Sequence, residues 1–474
     1  MLFNSLDFLL FFPTVCILFF FLPQKYRWFL LLAASCYFYM YFIPIYILIL
    51  AGTIIIDYFA GILIEKNQGK KRKLYLILSL FANISVLAVF KYYNFFIENI
   101  EVLISTFGSK SNLLYLSILL PVGLSFHTFQ AMSYTIEVYR GNQKAEKHFG
   151  IYALYVMFFP QLVAGPIERP QNVLHQFHEK KYFLYDNFTK GIKLVIWGFF
   201  MKVVVADRLS LYVNAAYNNI DNHNGSTLLL ATVFFSFQIY CDFAGYSLIA
   251  IGTAKIMGFD LMTNFNRPYF SRSISEFWKR WHISLSTWFR DYLYLPLGGN
   301  KVSKNRWYFN LFFVFLVSGI WHGAKWTFFI WGALNGGYLV IAILTQKFRK
   351  NFNDFIGLSK NKTFFTLIQI LTTFFLSSFA WIFFRANNVK DAFLIVEKII
   401  TEQSFNIFIK WDVFFGVFIG LTILVLKEFK DEFLNNKLLF LKKPNISVLF
   451  YALVLALILL MGVFDEGQFI YFQF

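Results

Sequence analysis

Two histidine-containing segments hold the side chains of this 474-residue chain that could carry out chemistry. The first segment, 264–300, contains His282 among arginines, and the second, 318–326, contains His322 in a Trp-His-Gly string. An imidazole has an ordinary pKa of about 6.5, so histidine can take up a proton from a reacting group at neutral pH. General-base catalysis is the chemistry that these two residues suit.

The segment around His282 has the pattern of an amphipathic helix. Ser273 and Glu276 form a capping-box pair that would begin it, and Pro296 would end it. An apolar stripe at three- and four-residue steps comprises Ile274, Phe277, Trp278, Trp281, Leu285, Trp288, Phe289 and Leu293, while Lys279, Arg280, His282 and Ser286 fall largely off it. Two interpretations remain open: a basic helix at the cytoplasmic membrane interface, or a helix that carries His282 and the arginines to a ligand in a cavity.

His322 lies near the outer half of an otherwise apolar run, 307–323. Ionisable residues within a membrane are rare and usually functional, so a catalytic role is favoured over a histidine that merely bonds a carbonyl at a helix end. Gly319 and Gly323 on either side favour close approach of another group.

The other histidines are weaker candidates. His127 could line a cavity, but a packed, satisfied side chain is the favoured interpretation, and the remaining four, His148, His175, His178 and His223, fall in loops. We find no metal-ligand spacing, no nucleophile elbow and no phosphate-binding glycine loop, so no metal site is predicted.

The composition excludes a soluble domain. Hydrophobic residues make up 58% of the chain and charged residues 15%, against about 25% charged in soluble domains. The apolar content also excludes disorder, and three cysteines exclude a disulfide scaffold. The formal net charge of +17 could indicate nucleic-acid binding, but basic loops on the cytoplasmic side are favoured, so no nucleic-acid partner is predicted.

The hydropathy pattern predicts an all-α polytopic membrane protein, with residues 1–474 forming one transmembrane domain of about 12 transmembrane helices. The candidate spans are 8–22, 28–42, 46–64, 74–92, 113–134, 187–206, 227–250, 307–323, 326–345, 363–384, 411–427 and 446–464. The basic loops 65–73, 139–148 and 267–306 all fall on the cytoplasmic side only if 149–164 does not cross, so that run is predicted to be re-entrant or interfacial. Both termini are then expected outside.

Six strings of the chain resemble one protein family, the membrane-bound O-acyltransferase (MBOAT) superfamily, in its bacterial alginate O-acetylation (AlgI-like) branch. They are Trp-Lys-Arg-Trp-His-Ile-Ser-Leu-Ser-Thr-Trp-Phe-Arg-Asp-Tyr-Leu-Tyr at 278–294, Pro-Leu-Gly-Gly-Asn at 296–300, Gly-Ile-Trp-His-Gly-Ala at 319–324, Phe-Pro-Gln-Leu-Val-Ala-Gly-Pro-Ile-Glu-Arg at 159–169, Asp-Phe-Ala-Gly-Tyr-Ser at 242–247 and Trp-Ile-Phe-Phe-Arg-Ala at 381–386. The resemblance covers nearly the whole chain, with DltB a more distant relative. Leu248 departs from it, because many relatives have an aspartate there, so no role of that acid is transferred.

The resemblance implies the MBOAT fold, in which the helices surround a central tunnel, and an O-acetyltransferase in a bacterial inner membrane. It implies acetyl-CoA as the acyl donor, with no permanently bound cofactor, and a hydroxyl of a cell-envelope or exported polysaccharide as the acceptor. It also implies a periplasmic or membrane-anchored SGNH-type acetyltransferase as a partner, beside the membrane lipid. The site residues are expected to be His322 and His282 as catalytic residues, with Trp281, Arg280, Arg290, Asp291, Trp321 and Gly323 binding substrate.

Two alternatives remain. A transporter or channel for an acyl group, without catalysis, would share the topology and the buried ionisable groups. An acyltransferase with a lipid or teichoic-acid acceptor would share the site.

Overall fold

A computed structural model describes residues 1–108, 113–117, 121, 123–162, 165–408, 411–434 and 444–464 of the chain. Every regular element within these residues is a helix. Of the described helical segments, five are long and apolar enough to cross a membrane: Pro44–Lys66, Gly69–Thr106, Gly225–Ile256, Trp326–Leu344 and Lys362–Arg385, with Leu6–Phe21 and Asn445–Met461 apolar but shorter. The all-α polytopic membrane protein is confirmed, whereas the number of crossings stays a prediction.

The chain divides into two compact units, so the single domain over 1–474 also stays a prediction. One unit comprises Met1–Val195 and Tyr246–Met262, and the other comprises Ile196–Gly245 and Thr263–Phe474.

The first unit contains nine complete α-helices in the described residues and most of a tenth. They are α1 (Leu6–Phe21), α2 (Gln24–Met40), α3 (Ile47–Lys66), α4 (Gly69–Leu87), α5 (Tyr93–Thr106), α6 (Leu124–Arg140), α7 (Phe149–Met157), α8 (Phe159–Leu162), α9 (Pro170–Val173) and α10 (Tyr185–Phe199). The π-helical segment Ala88–Tyr92 joins α4 to α5, and 3₁₀ turns lie at Pro44–Tyr46 and Leu174–Phe177.

The helix predicted at 113–134 begins later than expected, at Leu124. Residues 113–117 are not helical, and Gly123, directly before the first helical residue, has a left-handed backbone with φ +73°. A left-handed residue interrupts the α-helical hydrogen-bond pattern, so the prediction was wrong in its N-terminal part.

The run 149–164 forms two short helices, α7 and α8, whose described residues after Phe149 are buried. The nine residues of α7 rise about 14 Å at 1.5 Å per residue, less than half of the ~30 Å hydrocarbon core. This length fits a run that does not cross the membrane by itself, while the sidedness of the loops stays a prediction. Residues 163 and 164 lie outside the described residues.

The second unit contains the histidine segments. Its α-helices are α11 (Asp207–Tyr217), α12 (Gly225–Ile256, shared with the first unit), α13 (Ile274–Arg280), α14 (Ile283–Phe289), α15 (Lys304–His322), α16 (Trp326–Leu344), α17 (Gln346–Phe355), α18 (Lys362–Arg385), α19 (Val389–Thr401), α20 (Trp411–Phe429) and α21 (Pro444–Met461). π-Helical segments lie at Phe200–Ala206, Arg290–Tyr294 and Lys430–Leu434, and 3₁₀ turns at Ile220–Asn222, Pro268–Phe270 and Leu358–Lys360.

Glycines bring α15 and α16 into close backbone contact. A Cβ on Gly319 or Gly332 would overlap a backbone carbonyl of the facing helix, and one on Gly336 would lie 3.0 Å from the Cα of Phe312. Small residues that let backbones approach closely are typical of helix pairs in membranes. The pair fixes the position of His322 at the end of α15.

The single amphipathic helix predicted from Ser273 to Leu293 is wrong. The chain forms α13 and α14 separately, and His282 between them has a left-handed backbone with φ +42°. The predicted cap is confirmed, since the Ser273 side chain accepts a hydrogen bond from the Glu276 backbone N–H. At the break, the backbone N–H of Ile283 donates to the carbonyl oxygen of Asn264 at 2.8 Å and the carbonyl oxygen of Arg280 accepts from the Asn266 N–H at 2.9 Å, so the Asn264 segment holds the two helices apart.

Candidate active site

His322 is the last residue of α15 and is enclosed by aromatic rings. It is 4% exposed, and its ring centroid lies 4.9 Å from that of Trp321, 4.9 Å from that of Trp331 on α16 and 5.3 Å from that of Phe384 on α18. All three pairs meet edge to face. Three helices therefore hold one imidazole in an apolar enclosure.

The glycines beside His322 serve the packing of α15 against α16. A Cβ on Gly319 would overlap the carbonyl oxygen of Phe328, and one on Gly323 would overlap the Phe328 ring. The close approach that these glycines suggested is thus made by the chain itself. A substrate-binding role of Gly323 stays a prediction.

His282 is buried at the break between α13 and α14. Its Nδ1 lies 3.1 Å from Oδ1 of Asn264, and the ring of Phe243 on α12 packs edge to face at 4.6 Å. Burial lowers the pKa of His282 to about 3, so the imidazole is neutral at physiological pH. His282 is not on the surface of an interfacial helix, which favours the interpretation that the segment carries it inward.

Three tryptophans connect the two histidine segments, and we refer to Trp281, Trp331 and Trp381 as the tryptophan cluster. The Trp281 ring lies 5.0 Å from that of Trp381, and Trp381 stacks on Trp331 at 5.7 Å. Trp331 in turn contacts His322. The tryptophan cluster therefore contains Trp281, which is next to His282 in sequence, and contacts His322 through Trp331. The predicted substrate residue Trp281 is a buried member of it, 1% exposed.

A cavity of about 890 Å³ opens beside this cluster. It has polar and charged lining residues from α13 to α17, namely Ser275, Lys279, Ser286, Thr287, Arg290, Asn300, Ser318, Gln346 and Arg349. Trp278 and Phe315 line it too, and the Trp278 ring lies 5.7 Å from that of Trp331. Ser318 lies one helical turn before His322, on the same face of α15. His322 itself is not among the lining residues, and Trp331 contacts both its ring and that of Trp278.

The predicted arginines differ in their surroundings. Arg280 forms ion pairs with Glu276 at 2.7 Å and Glu432 at 2.9 Å, and it is not among the residues that line the cavity. Arg290 does line the cavity; it is 59% exposed and pairs with Asp291 at 2.7 Å. Arg290 is therefore placed to contact a ligand in the cavity. Arg280 instead links α13 to Glu432 through ion pairs.

Glu432, which sequence reasoning missed, ties three segments into one charge network. It accepts from Arg267 at 2.7 Å as well as from Arg280. Partial burial alone would raise the pKa of Glu432, but the hydrogen bonds from the two arginines hold it below its ordinary value. Glu432 lies 165 residues after Arg267 and 152 residues after Arg280 in sequence, so no local pattern indicated the pairing.

Another feature that the sequence did not reveal is a buried charge cluster around Lys202. Its Nζ lies 2.8 Å from Asp207 and 2.6 Å from Asp242, and the lysine side chain is 1% exposed. The lysine lies within the π-helical segment Phe200–Ala206. Buried charges in a membrane protein persist only when they are paired, as here.

Two of the weaker candidate histidines have local structural contacts. His127, in the other unit, is buried with Nε2 3.0 Å from the carbonyl of Leu162, so the packed interpretation is confirmed. His148 caps α7, accepting from the Ile151 backbone N–H. Within the described residues, no group of three or more His, Cys, Asp or Glu side chains could hold a metal ion.

Sequence comparisons identify the family. The sequence profile described as MBOAT, membrane-bound O-acyltransferase family, matches residues 148–384, which include both histidines. The chain is 38% identical over 410 residues to "Probable alginate O-acetylase AlgI" of Pseudomonas aeruginosa, covering 86% of this chain and 76% of that one. It is 35% identical over 438 residues to "Peptidoglycan O-acetyltransferase" of Helicobacter pylori, covering 84% and 80%.

A third relative is more distant. The chain is 28% identical over 274 residues to "Teichoic acid D-alanyltransferase" of Bacillus subtilis, covering 56% of this chain and 68% of that one.

The expected resemblance is confirmed, and an enzyme is supported over a transporter without catalysis. The family match, the identity to these relatives and the helices able to cross a bilayer show that this chain belongs to the membrane-bound O-acyltransferase family and is a multi-pass membrane O-acyltransferase.

Proposed function

We propose that this enzyme passes an acetyl group from acetyl-CoA on the cytoplasmic side of a bacterial inner membrane toward hydroxyls of a cell-envelope or exported polysaccharide. The names of the relatives that cover most of the chain, an alginate O-acetylase and a peptidoglycan O-acetyltransferase, support O-acetylation of a polysaccharide. The observation that carries the proposal is His322, enclosed by aromatic rings one turn beyond a residue of the cavity wall.

The cavity is the proposed entrance for the donor. Three cationic side chains, Lys279, Arg290 and Arg349, lie along it, and cations of this kind hold phosphates through charge-assisted hydrogen bonds. Pockets for small molecules usually have volumes of 300–1,000 Å³, so about 890 Å³ suits a thioester with a long arm. The acetyl end would then approach the wall next to the tryptophan cluster.

His322 is the proposed general base. It takes the proton of the acceptor hydroxyl while the hydroxyl oxygen attacks the acetyl carbonyl carbon. The carbon–sulfur bond breaks, and coenzyme A leaves as the thiol with that proton. A positioned base of this kind contributes about 10²–10⁴-fold to a rate.

The proposal also includes an acceptor and a partner protein. We infer a periplasmic or membrane-anchored SGNH-type acetyltransferase that completes transfer onto the sugar, which is supported by the family resemblance. A lipid or teichoic-acid acceptor is the second candidate, and the D-alanyltransferase relative favours it. That relative matches 56% of the chain, against 86% for the alginate O-acetylase, so the polysaccharide acceptor is preferred.

The experiment compares His322→Ala with His175→Ala, a histidine 58% exposed in the other unit. Cells that lack the native protein are complemented with each variant, and acetyl esters on the isolated polysaccharide, lipid and teichoic-acid fractions are measured. Membrane abundance is measured by immunoblot, and release of coenzyme A from acetyl-CoA is measured in proteoliposomes. We expect His322→Ala to lose both activities at normal abundance and His175→Ala to keep them.

Normal acetylation by His322→Ala would overturn the general-base assignment. Acetylation by the wild type without release of coenzyme A from acetyl-CoA would overturn acetyl-CoA as the donor. Acetyl esters confined to the lipid or teichoic-acid fraction would favour the second acceptor.

A further inference from the structure

Asn264 contacts the ring of His282 in a way that specifies where the imidazole carries its proton. Asn264 is 1% exposed, and its Oδ1 lies 3.1 Å from Nδ1 of His282. The same oxygen accepts from the backbone N–H of Ser284 at 3.2 Å and from the Ser284 hydroxyl at 2.9 Å. A backbone N–H can only donate, so the amide presents its oxygen to this group of contacts. Nδ1 of His282 therefore carries the proton, and Nε2 is the basic nitrogen.

The backbone of Asn264 also holds the break in the helix. Its carbonyl oxygen accepts from the Ile283 backbone N–H at 2.8 Å, and two residues later the Asn266 N–H donates to the Arg280 carbonyl at 2.9 Å. These bonds flank His282, whose left-handed backbone is rare for a non-glycine residue. One residue thus fixes both the ring orientation and the backbone of His282.

We propose that Asn264 is a positioning residue for acyl transfer: it fixes the ring of His282 in the tautomer protonated on Nδ1, which makes Nε2 the basic nitrogen of that imidazole. This inference rests on the proposed function, since it assumes that His282 takes part in acyl transfer. Orienting partners of this kind are known for metal-bound histidines, where their loss costs about 10–100-fold in affinity or activity.

Charged side chains on the neighbouring elements already have partners. The pairs are Arg280 with Glu276 and Glu432, Arg267 with Glu432, Asp242 with Lys202, and Glu428 with the hydroxyl of Tyr240. α14 itself has no charged residue. A new carboxylate next to His282 would therefore act directly on the imidazole.

Two variants of Asn264 separate positioning from packing. Asn264→Leu keeps the approximate volume but removes the acceptor, and we expect kcat to fall about 10–100-fold with a smaller change in KM for acetyl-CoA. Asn264→Asp keeps an oxygen opposite Nδ1, and we expect it to retain more activity. Because its carboxylate stabilises the protonated imidazole, the loss of activity on acidification should begin at a higher pH than in the wild type.

The tautomer of His282 can be measured by NMR without an activity assay. In the full-length protein labelled with ¹⁵N-histidine in nanodiscs, the His282 signals are assigned by their loss in His282→Gln. We expect the wild type to show a protonated Nδ1 and an unprotonated Nε2, and Asn264→Leu to lose this pattern. Asn83→Leu is the control for buried asparagine, since Asn83 is also 1% exposed and bonds Asp57 in the other unit. It should reduce abundance without moving the His282 signals.

Two results would overturn the proposal: a wild-type His282 protonated on Nε2, or an Asn264→Leu variant with unchanged kcat and unchanged signals. If instead His322→Ala acetylates normally while the His282 tautomer is as expected, the proposed function fails and the tautomer assignment stands.

Discussion

Removal of the Lys202 charge should destabilise the protein more than any exposed charge substitution. Lys202 lies 2.8 Å from Asp207 and 2.6 Å from Asp242, and it is 1% exposed. At an effective dielectric constant of about 20, each such contact is worth about 6 kcal/mol of attraction, most of which offsets the cost of taking the charges out of water. In Lys202→Met both carboxylates lose their counter-ion, and we expect the free energy of unfolding to fall by about 3–5 kcal/mol.

The assay is reversible unfolding of the purified protein in mixed micelles of increasing SDS fraction, with membrane abundance measured in parallel. The triple variant Lys202→Met, Asp207→Asn, Asp242→Asn removes all three charges of this cluster and should recover most of the loss. Lys190→Met removes an exposed ion pair with Asp186 and should cost less than about 1 kcal/mol. The reasoning is refuted if Lys202→Met is within about 1 kcal/mol of the wild type, or if the triple variant is no more stable than the single one.

Three further expectations concern packing, charge and orientation. Gly332→Val should separate α15 from α16 because its side chain would overlap the carbonyl of Phe315; thermal unfolding should occur at lower temperature and acetyl transfer should fall, and an unchanged protein would contradict this packing. Glu432→Gln should weaken the network with Arg267 and Arg280, and faster proteolysis of the loop after α12 in membranes would report it, whereas equal proteolysis would argue against a stabilising role. Ser303→Cys in a cysteine-free background should react with an impermeant maleimide only from the cytoplasmic side, and labelling only from outside would show that the loop assignment is wrong.

The long apolar helices could be predicted from the sequence. The predicted runs 326–345 and 363–384 correspond to Trp326–Leu344 and Lys362–Arg385 within a residue or two. A helix that must satisfy its backbone in an apolar solvent uses an uninterrupted apolar run, so its ends are marked by polar residues. Length and hydropathy are properties of the local sequence, which is why they sufficed here.

Features of the site that depend on backbone conformation or on tertiary contacts could not be predicted from the sequence. Nothing in the three- and four-residue spacing around Trp281 indicates that His282 adopts a left-handed backbone, because that conformation depends on bonds from the loop at Asn264. Likewise, nothing in the sequence distinguished Trp331 and Phe384 from the many other aromatic residues of the chain. Only the packing of α16 and α18 against α15 shows that their rings enclose His322.

The aromatic enclosure of His322 has a consequence for the fate of the acetyl group. The rings of Phe384 and Trp331 offer their edges and faces to the imidazole, and such walls give a water molecule few partners. Under the proposed mechanism, an activated acetyl group beside His322 should therefore meet the acceptor hydroxyl more often than it meets water. The measurable quantity is a partition ratio, the acetyl esters formed per acetate released, and substituting Phe384 with serine should lower that ratio even where the total rate of coenzyme A release is maintained.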